Sequence, residues 1–102
     1  MQVHDFVILS LHSPKEKIWG EMVALNPAGI TIRGVDLNFF EELLRQAAIG
    51  EAGEASLSKI FYPMYRVERM ALDEGTPEAP SLADRFSRRM GVTVHEFFGV
   101  EE

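Results

Sequence analysis

The chain contains no cysteine and a single tryptophan among 102 residues. Without thiols there is no disulfide framework, no cysteine nucleophile and no thiolate metal site. Positive charge is scarce: 10 Lys and Arg stand against 16 Asp and Glu, a formal net charge of −6. That balance argues against sequence-independent binding to a phosphate backbone, whose affinity comes from cationic contacts. Long apolar runs are missing as well. Phe6 to Leu9 is far short of the ~20 residues a membrane helix needs, so no membrane association is expected. The opening residues, Met1-Gln2-Val3-His4-Asp5, lack the positive region that begins a secretory signal, and a cytoplasmic protein is expected. Glycine-rich phosphate loops, dinucleotide fingerprints and nucleophile elbows are absent from the sequence. We therefore expect no enzyme, no cofactor and no metal.

What is present suits one small domain with a modest core. Val7, Leu9 and Leu11 alternate with Phe6, Ile8 and Ser10, a strand apolar on both faces. Lys17–Leu25 and Ile30–Leu37 read as two further strands, forming a hairpin whose turn, Asn26-Pro27-Ala28-Gly29, matches a type I turn. Gly20, Gly34 and Pro63 stand where a bend or bulge is permitted. Asn38 and Glu41 form a capping-box pattern at the head of a helix over 38–49. Phe39, Phe40, Leu43, Leu44 and Ala47 share its apolar arc, and Glu41 and Arg45 make a favourable pair. Glu51–Ser56 reads as a flexible acidic loop. Lys59–Met64 and Glu68–Leu72 complete the strands around a short turn.

The spacing predicts a mainly β fold with helices: a small, bent, five-stranded antiparallel barrel with one helix inserted between the third and fourth strands, and a helical C-terminal tail. Residues 1–75 form the barrel domain, 76–81 a linker and 82–102 a tail that packs on the barrel or on a partner subunit. Ser81 with Asp84, and Thr93 with Glu96, give two capping boxes in the tail, and Gly91 is a natural C-cap between them.

From about Val7 to Leu72 the chain resembles the Sm-like and SH3-like small barrels, including the bacterial Sm-like RNA chaperones. The resemblance rests on Lys17-Ile18-Trp19-Gly20-Glu21-Met22, the turn at Asn26, Ile30-Thr31-Ile32, and Ile60 to Met70 as fourth strand, short turn and fifth strand. It implies self-association, and RNA contacts from the turn after strand two and the turn between strands four and five. The first of these turns carries Pro27, Ala28 and Gly29, with no aromatic for base stacking. The second carries Tyr65 and Arg66.

Candidate contacts follow. Tyr62, Tyr65, Arg66 and Arg69 are the richest aromatic and basic cluster, able to stack on a nucleotide or peptide or to form a solvated edge strand. Phe86, Phe97 and Phe98 give the tail an apolar stripe for the barrel or an interface. His4 and His12 share a strand face but lie about 26 Å apart at strand rise, too far to chelate one metal. His95 and Glu96 are neighbours on a helix and point apart. These histidines read as surface residues. The carboxylate pairs Glu41-Glu42 and Asp73-Glu74 read as a solvated helix face and a turn. The helix–Gly–helix tail suggests DNA binding, but Thr93–Val100 offers no Arg, Lys, Asn or Gln to a base edge.

The functional expectation is a self-associating interaction module, most simply a symmetric homodimer. The alternatives are a nucleic-acid-binding regulator, through the Tyr65-Arg66 turn or the tail, and a small ligand-binding or enzymatic barrel.

Overall fold

The computed structural model describes residues 1–100; Glu101 and Glu102, the last residues of the expected tail, lie outside the described residues. Strands β1 (Phe6–Leu11), β2 (Glu16–Asn26), β3 (Gly29–Asp36), β4 (Ser58–Pro63) and β5 (Val67–Leu72) form one antiparallel sheet in the order β4-β3-β2-β1-β5. The β2–β3 hairpin turns at Pro27-Ala28, where Ala28 N–H donates to the Asn26 side chain at 2.9 Å. A 3-10 turn, Met64–Arg66, joins β4 to β5.

That short turn forces the sheet to curl. In a flat sheet, β4 and β5 would lie about 19 Å apart, four strand spacings. The step from Pro63 to Val67 reaches at most about 14 Å. The turn is also tied to both ends of β2. Met64 N–H donates to the Ala28 carbonyl at 2.9 Å, and Arg66 pairs with Glu16 at 2.9 Å. A straight strand of 11 residues would hold those ends about 35 Å apart. The bend falls where Gly20 faces Gly34. A Cβ on Gly20 would stand 2.3 Å from the Arg33 carbonyl oxygen and 2.5 Å from the Gly34 Cα, so only glycine lets the two backbones approach this closely. A bulge between Met22 and Ala24 adds to the twist. The curl stops short of closure: β4 pairs only with β3 and β5 only with β1, so the expected barrel is an open, curled sheet with two edges.

Alternation along the strands gives the sheet two apolar faces, as the two-sided first strand implied. On the inner face Val7, Leu9, Leu11, Ile18, Met22, Ile30, Ile32 and Tyr62 make one core. On the outer face Phe6 and Trp19 join residues of three helices, α1 (Phe40–Ala48), α2 (Leu82–Met90) and α3 (Val94–Phe98), in a second. Phe40, Leu43, Leu44 and Ala47 supply the buried stripe of α1.

The head of α1 departs from expectation. Asp36, not Asn38, is the capping residue: its carboxylate accepts from Asn38 N–H at 2.8 Å and starts a 3-10 turn over Leu37–Phe39. That turn feeds directly into α1, whose own first residue has no side-chain cap. The altered phase leaves Phe39 exposed, at 38%, where burial was expected. Arg45 pairs with Glu42 rather than Glu41, and Glu41 pairs with Arg85 of α2. The acidic loop contains a 3-10 turn, Glu54–Ser56, and Leu57 beside it is buried. In the tail the expected caps form: Ser81 accepts from Asp84 N–H, Thr93 accepts from Glu96 N–H, and Gly91 ends α2 in the left-handed region at φ 76°.

Candidate functional site

The sequence cluster around Tyr62 divides into groups with different surroundings. Tyr62 sits in β4 opposite Ile30 and is nine-tenths buried in the inner core. The Arg66 guanidinium stands 5.8 Å from its ring centre. Arg66 is otherwise committed to the β1–β2 connection, donating to the carbonyls of His12 at 3.1 Å and Pro14 at 2.9 Å as well as to Glu16. It therefore acts as a clamp across the curl. Tyr65, beside it, is 78% exposed. Arg69 is exposed on β5 and lines a cleft of about 450 Å³ whose wall also carries Lys15, Lys17, Glu16, Asp36 and Glu68. Cations and carboxylates balance there, so the cleft has no marked preference for one sign of charge.

A second bay, of about 390 Å³, opens onto the inner core between β2, β3 and β4. Ile18, Ile32 and Ile60 form its apolar wall, with Tyr62, Glu16 and Asp36 as polar groups. Burial pushes the Tyr62 phenol above its ordinary pKa, the negative charges of Glu16 and Asp36 act in the same direction, and Arg66 opposes them. The bay gathers residues of β2, β3 and β4 that meet only through strand pairing, which is not a local property of the sequence.

The tail phenylalanines lie on the outer face. Phe86 and Phe98 have no exposed surface and Phe97 is half-buried. Their ring centres lie 4.9–5.2 Å apart, and Phe98 approaches Phe6 and Trp19 of the sheet. The tail thus packs within its own chain. In α3, Val94 and Phe98 are the buried residues and Glu96 is exposed, so the segment weighed as a DNA-recognition helix presents a carboxylate to solvent.

The amino-terminal histidine is half-buried, where a surface position was expected. His4 Nδ1 lies 2.6 Å from a carboxylate oxygen of Glu21, and Arg33 Nε donates to the other oxygen at 3.0 Å. Glu21 is 4% exposed and owes its place inside to these two partners. Arg33 also donates to the Phe98 carbonyl at 2.7 Å, and the His95 ring to the His4 carbonyl at 2.9 Å. Together these bonds clasp α3 to the outer face of the sheet. His12 is exposed; its backbone pairs with Arg66, and its ring lies within hydrogen-bond distance of the neighbouring Ser13 hydroxyl. Among the described residues no group of three or more His, Asp or Glu is placed to hold a metal ion, and no helix is long and apolar enough to cross a membrane.

Large apolar side chains are also exposed along β4 and just beyond it. Ile60 is 44% exposed, Phe61 51% and Met64 37%. Register alternation puts Ile60 and Tyr62 on the inner face, opposite Ile32 and Ile30, and Phe61 on the outer face, opposite Thr31. The helices leave this strand bare. No family model, curated protein or solved structure matches the chain.

Proposed function

We propose that this protein is a non-enzymatic, cytoplasmic interaction module that self-associates through the free edge of β4. The observation that carries the reading is the exposure of Ile60, Phe61 and Met64 on and beside a strand with pairing on one side only. An apolar strand edge is a template for another strand, and natural chains cover or charge such an edge unless it has a partner. The β5 edge is treated in that way, with Glu68 and Arg69 exposed. A second copy meeting β4 with its own β4 gives a closed, isologous dimer. The β2–β3 hairpin, the bend at Gly20 and Gly34, and the short turn between the edge strands support the resemblance to Sm-like and SH3-like small barrels. The tail is spent on the outer core, which leaves the β4 edge as the contact surface.

Sedimentation and light scattering across micromolar concentrations test the proposal. The wild-type chain should be dimeric, and Phe61→Glu should shift it to monomer without changing its circular dichroism. A wild-type chain that stays monomeric at roughly 100 micromolar, far above the Kd of specific interfaces, overturns it.

A further inference from the structure

The bay on the inner face is an apolar pocket with negative polar groups and no cation of its own. Its volume of about 390 Å³ is in the range of small-molecule sites. Ile18, Ile32 and Ile60 offer a wall for a flat or branched apolar group. No Lys or Arg lines it; Lys15, Lys17 and Arg69 belong to the neighbouring cleft, which shares Glu16 and Asp36. Glu16 is already paired with Arg66. Asp36 has no cationic partner among the described residues, and its only side-chain hydrogen bond there is the cap to Asn38 N–H. Tyr62 is nine-tenths buried, and among the described residues its hydroxyl has no hydrogen-bond partner. That oxygen reaches solvent at the bay, since no buried side-chain polar atom among the described residues lacks a partner, and it is free to accept a hydrogen bond from a ligand.

We infer that this bay binds a small organic cation with an apolar body, an aryl- or alkylammonium. The apolar part lies on the isoleucines, the ammonium faces Asp36, and the Tyr62 oxygen accepts a hydrogen bond from it. Two features select this class. The apolar wall disfavours a fully hydrated ion such as a metal cation or free ammonia, and the carboxylates disfavour an anion. The bay shares Ile60 with the proposed self-association edge, but Phe61 lies on the opposite face of β4 from Ile60 and Tyr62, so Phe61→Glu removes the dimer contact without altering the bay.

The test is a titration of the isotope-labelled chain, followed through amide chemical shifts, with three probes of similar shape. These are phenethylammonium, 2-phenylethanol and phenylacetate. It is run on the wild type and on Phe61→Glu, so that loss of the dimer and loss of the pocket are read separately. Phenethylammonium should shift the amides of Ile18, Ile32, Ile60 and Tyr62 and bind at least about threefold tighter than the alcohol, the size of a partly exposed ion pair. Phenylacetate should bind most weakly. Asp36→Asn keeps an oxygen for the Asn38 cap and should abolish the preference for the cation while leaving the alcohol unchanged. Ile60→Lys places a tethered cation at the bay and should remove phenethylammonium binding with the fold intact. Equal affinity for cation and alcohol, or shifts confined to Lys15, Lys17 and Arg69, overturns the inference.

Discussion

The indole N–H of Trp19, in the middle of β2, donates to the carboxylate of Asp73, just after β5, at 3.0 Å. The same carboxylate accepts from the backbone N–H groups of Leu82 at 3.1 Å and Ala83 at 2.9 Å, the first residues of α2. Asp73 is itself fixed by its own N–H, which donates to the Phe6 carbonyl at 3.0 Å. One side chain therefore satisfies a buried indole and supplements the Ser81 cap, and its negative charge lies favourably at the positive end of the helix.

Replacing Asp73 by Ala should cost about 2–4 kcal/mol, since it strands the indole donor and removes part of a helix cap. Asp73→Asn keeps one acceptor and should cost less. Urea unfolding followed by the fluorescence of the single tryptophan measures both variants. A loss under about 0.5 kcal/mol for the alanine variant, the size of a surface change, would show that water replaces the contact.

Gly34→Ala should destabilise the chain by about 3 kcal/mol or more, because the new Cβ would meet the Trp19 carbonyl at 2.3 Å and the strands would have to part. Gly53→Ala is the control. Its backbone is extended and no atom lies within 4 Å of the added Cβ, so its effect should stay within about 0.5 kcal/mol.

Alkaline pH should weaken the fold through Tyr62. Burial disfavours the phenolate in the folded state. The unfolded chain, with its ordinary tyrosine value near 10, therefore releases this proton first. The contribution is intact below about pH 10 and is lost as pH rises through the higher, folded value. In a Tyr65→Phe background Tyr62 is the sole phenol, and its near-ultraviolet absorbance should show ionisation above the ordinary range. A midpoint at or below that range contradicts the burial of Tyr62.

Nucleic acid should bind weakly. Arg33 and Arg66 are held by Glu21, Glu16 and backbone carbonyls, and the net charge of −6 opposes the remaining cations. A Kd for RNA or DNA weaker than about 1 micromolar at physiological salt is expected. Tighter binding that falls steeply with added salt would return the Tyr65-Arg66 turn to consideration.

Features governed by neighbours in sequence were legible. The hairpin at Pro27-Ala28 and the caps at Ser81, Thr93 and Gly91 depend on a few residues each, and the two-sided apolar pattern of β1 correctly implied a layer on both faces. Phe39 falls off the buried stripe because Asp36 sets a 3-10 turn before the α-helix begins, which a helical phase starting at Asn38 does not contain. The curl of the sheet could be anticipated from Gly20 and Gly34, but not where it would stop. His4 and Glu21 are 17 positions apart and His4 and His95 91 apart; no periodicity links such pairs. The bay has the same origin, since Ile18, Ile32 and Ile60 meet only through the pairing of three strands.

The two apolar cores share β1 and β2 as a common wall, and this sets an order in which amide hydrogens can reach solvent. The helical layer is held by Phe6, Trp19, Asp73 and the Arg33 clasp, all on one side, so it can lift away as a unit while the inner core stays closed. The β4 and β5 amides have the shortest route out, because each strand is paired on one side only. Exchange in deuterated water should therefore be slowest in the central stretches of β1 and β2, around Val7, Leu9 and Trp19. Those strands keep a partner on each side and a core above and below until the whole chain unfolds.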